Sequence, residues 1–196
     1  MKKINLEKYK NYVLSLKTHI LISVLIFIFG AFYGYFTVQS APQEIGTVLE
    51  ELRKLYEPVF EMSPLGQFFF VILNNGVALT LILVSSVIFG FFPFFALLSN
   101  GTVLGVVAFF SQLNFSWSVF FLGTLPHGVI ELPVLILAGA SGLKIGQTVF
   151  QRIMKKQVSI KKELSDALEF FWKILLPLLA LAAAIEIFIT ANLLGV

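Results

Sequence analysis

The sequence predicts an all-α fold: a polytopic bundle of five transmembrane helices, the fourth broken at Pro126 and Pro133, plus an amphipathic helix outside the membrane. Three observations carry that expectation. Hydrophobic residues make up 58% of the 196 positions and charged residues only 13%, against about 45–50% and about 25% in soluble domains. Several apolar runs reach the roughly 18 residues that a helix needs to cross a bilayer. The basic residues are clustered between those runs, which leaves no solvated nucleic-acid-binding surface and makes the lipid bilayer the first partner. The chain has no cysteine, so disulfides, thiolate metal ligands and cysteine nucleophiles are excluded.

Taken in order as a single integral membrane domain over 1–196, the chain starts with a basic segment, 1–19, carrying Lys2, Lys3, Lys8, Lys10 and Lys17. The apolar run 20–38 comes next. It exceeds the core of about 7–15 residues of a signal peptide and is read as the first membrane helix, with Gly30 and Gly34 forming a small-xxx-small face for close helix packing. In 42–61, Ile45, Val48, Leu49, Leu52, Leu55 and Val59 recur at helical spacing among Glu44, Glu50, Glu51, Arg53, Lys54 and Glu57. This is an amphipathic helix, either docking a partner or capping the bundle.

The second membrane helix is expected over 65–89, with Asn74, Ala78, Leu81 and Ser85 on one side, a polar-to-small stripe of the kind that faces other helices. Phe91-Phe92-Pro93 breaks the chain before a third helix over 94–110, where Asn100-Gly101 and Gly105 supply an amide beside a glycine surface. A short turn with Trp117 as interfacial anchor and a glycosylation pattern at Asn114-Phe115-Ser116 leads to the fourth span, 118–143. A basic segment, 144–172, and a fifth span, 173–194, complete the chain.

Charge sets the expected orientation. Residues 1–19 hold 5 of the 14 Lys and Arg residues and 144–173 hold 7, while the helix 42–61 carries the other two among five glutamates. Five crossings from a cytoplasmic N-terminus put both basic segments in the cytoplasm, and the acidic helix and the C-terminus outside, as the positive-inside rule demands. The expected location is therefore a cell membrane, with multiple passes.

The improbable chemistry lies in the fourth span. Pro126 and Pro133 free the carbonyls of Leu122 and Val129, and Pro126 is expected to start a new half-helix. His127 and Glu131 are four apart and share a face with Ala138 and Gly142. In the fifth span Glu186 shares a face with Ala182, Ala183 and Thr190. Glu131 precedes Lys144 by 13 residues and Glu186 follows Lys173 by 13, placing both carboxylates about 20 Å above the cytoplasmic boundary. His127, Glu131 and Glu186 are thus expected to form one buried cluster, joined in a wider polar network by Asn74, Asn75 and Asn100.

Three readings of the cluster stand: a divalent metal site for Zn, Mn or Fe, a proton or ion relay, or a structural hydrogen-bonded network. A zinc protease is disfavoured because His127-x-x-x-Glu131 lacks the second histidine. Gly139-Ala140-Ser141-Gly142 is similar to the serine motif of rhomboid proteases, but no histidine lies beyond the serine to act as its base.

The pattern as a whole resembles the stage II sporulation protein M family of integral membrane proteins. The likeness rests on Asn74-Asn75 after Ser63-Pro64-Leu65, Gly90, Asn100-Gly101 with Gly105, and Pro126-His127-Gly128-Val129-Ile130-Glu131-Leu132-Pro133. Ala138-Gly139 with Gly142, and Ile185-Glu186 with Phe188-Ile189-Thr190, complete it. The resemblance implies a five-helix scaffold or anchor that organises extracytoplasmic partner proteins and catalyses nothing itself. The ionisable residues point instead to an ion or divalent-metal transporter or channel, for which a homodimer would supply the missing half.

Overall fold

The computed structural model describes residues 6–114 and 117–190, and every regular element among them is helical. A short helix α1 (Leu6–Ser15) leads into α2 (Lys17–Ser40), then α3 (Pro42–Phe60), α4 (Pro64–Ser85), α5 (Phe91–Asn114) and α6 (Trp117–Ile153). Next come α7 (Ile160–Phe170) and α8 (Leu176–Ile185), flanked by π-helical turns at Phe171–Leu175 and Glu186–Thr190. Five columns are long and apolar enough to cross a membrane: Lys17–Ser40, Pro64–Ser85, Phe91–Leu113, Phe120–Ile153 and Ile160–Thr190. The five expected spans are all present. The glycosylation pattern falls partly on residues 115–116, and the expected end of the fifth span beyond Thr190; both lie outside the described residues, as do Lys2 and Lys3.

Local chemistry explains the boundaries. α4 starts where the Ser63 hydroxyl accepts the Gly66 amide at 3.3 Å, with Pro64 in the first turn, where its missing N–H costs nothing. It ends earlier than expected, in a turn over 86–90 in which Phe89 and Gly90 both take positive φ, 55° and 73°. The break therefore precedes Phe91, and Pro93 sits inside the first turn of α5. The Ser159 hydroxyl caps α7 by accepting the Lys162 amide at 3.2 Å.

One expectation needs correction. α6 runs unbroken through Pro126 and Pro133, so no new half-helix begins there. Each proline removes one backbone hydrogen bond, a local loss, whereas α6 gains packing along its length against α2, α4, α5, α7 and α8. It also continues ten residues beyond Leu143, adding about 15 Å of helix. The distortion appears instead in the last column. The π-turn Phe171–Leu175 immediately precedes Pro177, whose absent N–H and bulky ring disrupt the regular ladder there.

The tightest packing joins α2 to α5. A Cβ on Gly30 would collide with the Leu98 carbonyl oxygen, and one on Gly34 with that of Thr102. Reciprocally, a Cβ on Gly101 or Gly105 would collide with the carbonyl oxygens of Phe27 and Ala31. All four separations are under 3.0 Å, which real Cβ atoms do not adopt. The two small-xxx-small faces read from the sequence are therefore partners, and the matched order of their contacts makes α2 and α5 parallel. A second glycine row on α6 receives the other side: Gly139 packs on Leu97, Gly142 on Ser86 and Pro93, and Gly146 on Gly90. Leu83, Leu97, Val134, Ile145, Phe171, Leu175 and Leu179 fill the core between them.

Both described basic segments meet at one end of the bundle. Lys8 and Lys173 both donate to Glu169, at 2.6 and 2.8 Å, and Lys144 pairs with Glu163 at 3.0 Å. His19 Nε2 lies 3.0 Å from Gln147 Oε1, and Lys144 donates to Ser15 at 2.9 Å. The Glu169 carboxylate holds the Lys8 ammonium above its ordinary pKa, and burial pushes the Tyr12 phenol well above its own. α3 lies at the opposite end, between the C-terminus of α2 and the N-terminus of α4, touching both only lightly.

Replacing Gly34 or Gly105 with leucine is expected to destabilise the bundle by at least ~2 kcal/mol, because the added atoms meet backbone that cannot move aside. Gly46→Ala, whose Cβ would meet only the Phe110 ring at 3.8 Å, should change little. Thermal unfolding of the three variants in one detergent checks the contrast, and equal melting temperatures would sink the packing argument.

Candidate functional site

Beyond the N-terminal end of the α6 glycine row, the helices part. A cavity of about 240 Å³ opens between α4, α5 and α6, with Phe27 of α2 and Leu179 of α8 closing its back. Most of its wall is apolar, from Leu79, Leu104, Leu132, Val134 and Leu135 among others. Its polar groups are Asn75 from α4, Asn100 from α5, and Thr124, His127 and Glu131 from α6. A small apolar space with a few convergent polar groups is the usual form of a binding site.

α6 supplies the chemistry through helical spacing. Thr124 and Glu131 are seven residues apart, about two turns, so both face the cavity, with His127 and Gly128 between them. Lower on the same face, Ala138 and Gly142 are buried, as expected, against neighbouring elements. Asn75 donates from Nδ2 to Glu131 Oε1 at 3.1 Å, tying α4 to α6 across the cavity. His127 is half-buried, and its Nδ1 is shielded from solvent without a hydrogen-bond partner.

The remaining expected members are placed differently. Glu186 begins the second π-turn and does not line the cavity. Its face is inward, as expected: Ala182 and Ala183 are each 2% exposed and Thr190 4%. Thr190 donates to the Ile185 carbonyl five residues back, at 3.3 Å, within that π-turn. Asn100 spends one donor on the Ala96 carbonyl of its own helix at 2.8 Å, and Asn74 reaches its neighbour Asn75 at 3.5 Å.

Two sequence expectations are therefore corrected. Asn74, Asn75, Asn100, His127, Glu131 and Glu186 do not form one buried network: Asn74 and Asn100 are exposed in the protomer and the other four are only partly buried. Nor are His127, Glu131 and Glu186 assembled as a metal-ligand set, since no three His, Cys, Asp or Glu side chains among the described residues are grouped to hold one ion. Matching depth on two inward-facing helices does not fix which neighbours each side chain meets. The sequence singles out Asn75 without its partner and does not single out Thr124, whose one signal is the seven-residue spacing to Glu131.

A further hollow, about 470 Å³, lies at the basic end between Tyr12, Lys144, Gln147, Ser159 and Lys162. Its Lys8 and Lys144 already pair with Glu169 and Glu163. Ser141, the serine of the rhomboid-like motif, is 1% exposed and donates to the Leu137 carbonyl at 2.8 Å, which makes it a packing residue of α6.

Asn75→Leu removes the hydrogen bond that spans the cavity and is expected to cost about 0.6–1.7 kcal/mol, from the average to the largest value for interhelical bonds in lipid. Glu131→Gln keeps an acceptor for Asn75 and should cost less. Unfolding of both variants in the same detergent measures the difference, and the reverse order would mean that this bond does not hold the site.

Comparison with known proteins places this architecture. A profile described as Stage II sporulation protein M matches residues 23–191, which include nearly all of the five spans and the whole cavity wall. An uncharacterized protein of Methanocaldococcus jannaschii is similar at 24% identity over 181 residues, covering 91% of this chain and 97% of its own. No solved structure matches the chain significantly. With its five apolar columns, its Pro126–Pro133 segment on the cavity and a match over most of its length, the chain is a multi-span membrane protein of the stage II sporulation protein M family.

Proposed function

We propose that the protein is a membrane scaffold that presents α3 to partner proteins outside the cytoplasm and has no catalytic activity of its own. One observation carries this reading: α3 is an amphipathic helix that the rest of the chain leaves largely uncovered. No described side chain of α3 is buried, and Val48, Tyr56 and Phe60 are 50%, 42% and 66% exposed. Glu44, Glu51 and Glu57 are also exposed. An apolar stripe edged with carboxylates suits a basic, amphipathic partner. In this reading the basic end, where Lys8, Lys144 and Lys173 lie, faces the cytoplasm and α3 lies outside. The family's name and the anchoring role that the resemblance implies agree with such a part.

The test is a membrane-impermeant cross-linker applied to intact cells, comparing the wild type with a Glu44→Lys/Glu51→Lys/Glu57→Lys variant. The scaffold reading expects cross-linked partners in the wild type and about tenfold fewer in the variant, at an unchanged melting temperature. An identical set of partners in both, or none in either, would refute it.

A second reading is favoured by the polar end of the cavity, where Glu131, His127 and Asn75 converge at mid-span. An ionisable group at that depth is costly unless it works, and a carboxylate beside an imidazole suits a proton or cation relay. Here the expected outcome is a cation or proton flux into liposomes that Glu131→Gln lowers at least about tenfold. Elemental analysis of the same preparations tests for a resident divalent metal. Wild-type protein without flux and without metal would leave the scaffold reading alone.

A further inference from the structure

We infer that the outer face of α4 and α5 is a homodimer interface, with a second copy of the chain filling the seam between these helices and closing the cavity that holds Glu131. α4 and α5 are consecutive yet touch only sparsely, leaving a groove of about 590 Å³ on the outside of the bundle. Ile82 and Val103 line both this groove and the Glu131 cavity, so the two spaces form one continuous seam. The mouth of the cavity opens on the same side, because Ala78 and Asn100 are wall residues that are also exposed.

The polarity of this face identifies its occupant. Asn74 and Asn100 are exposed amides well inside α4 and α5, and each uses a single donor within the protomer among the described residues. Each therefore presents a further N–H donor and an oxygen to its surroundings. The outer face of α2 is different: Leu21, Leu25, Ile28, Phe29, Phe32 and Phe36, with the amphipathic Tyr33, make it predominantly apolar, as lipid contact requires. An acyl chain filling the α4–α5 seam would leave the amides unsatisfied in hydrocarbon, where each unmet group costs several kcal/mol. A primary amide is both donor and acceptor, so its natural partner in such a medium is another primary amide. Two identical faces related by a two-fold axis supply that match. The small side chains of Ala78 and Ser99, both exposed, let the helices of two copies approach. The stripe Asn74, Ala78, Leu81 and Ser85, expected to face other helices, would then do so across the dimer. A scaffold and a conduit would leave the same face uncovered, so the dimer depends on neither reading of function.

The chain has no cysteine, so single-cysteine variants need no other change. Oxidative cross-linking in native membranes should give a covalent dimer with Ala78→Cys or Ser99→Cys and none with Leu25→Cys on α2. Native mass spectrometry of the wild type should find two chains, and Asn74→Leu/Asn100→Leu should raise the dissociation constant at least about tenfold. Failure of both seam cysteines to cross-link, or equal cross-linking by Leu25→Cys, would overturn the dimer. A monomer carrying a tightly bound lipid would assign the seam to lipid instead. If the double leucine variant fails to fold, the cross-linking series, made in the wild-type background, decides alone.

Discussion

The fold depends on one steric constraint: α2 and α5 meet backbone against backbone. Four glycines, Gly30 and Gly34 on one helix and Gly101 and Gly105 on the other, each face a carbonyl of the partner at a distance that no side chain survives. In a membrane there is little hydrophobic drive between helices, so dispersion contact at close range has to do that work. The pairing makes α2 and α5 parallel and places the start of α5 where Gly139, Gly142 and Gly146 of α6 can pack against it. The cavity is the counterpart of this arrangement. Towards the basic end α6 is lined with glycine and closes on its neighbours; at His127 and Glu131 its side chains are larger and polar, and the helices stand apart.

That geometry gives the polar groups of α6 their setting. Glu131 is anchored by Asn75 on one side, while Glu186 stands outside the cavity. Two π-turns flank α8. The π-turn Phe171–Leu175 adds a residue to one turn and rotates the helix beyond it, so the positions after Pro177 present faces that a regular helix would not. Such turns are common near functional sites, and here one starts on the only carboxylate of its column within the membrane-crossing half.

The two ends of the molecule are built on opposite principles. At the basic end α1, α6 and α7 are locked by ion pairs and by Tyr12 tilted against Phe170, with ring centroids 5.2 Å apart. Each exposed ion pair contributes little alone, because water screens it, but Glu169 serves Lys8, Tyr9 and Lys173 together. At the other end α3 is held by light contacts such as Tyr56 against Phe70 and leaves Val48, Tyr56 and Phe60 exposed. One end is closed upon itself; the other is turned outward.

Much of this is legible in the sequence. Apolar run length locates all five spans, because crossing a bilayer imposes a length that chance seldom reproduces. Clustered lysines place both basic segments at one end, and glycine spacing marks the faces of α2 and α5 that pack. These are properties of single helices and need no knowledge of neighbours. Rotation and partnership are another matter: that Gly30 meets Leu98, that Glu131 bonds to Asn75 and not to Glu186, and that Asn74 and Asn100 point out of the protomer. The continuity of α6 through two prolines belongs with these, since a local hydrogen-bond loss is outweighed by contacts along the whole helix. Hydropathy and spacing act within one helix, whereas the site is made where several helices meet, and only the tertiary packing decides which faces those are.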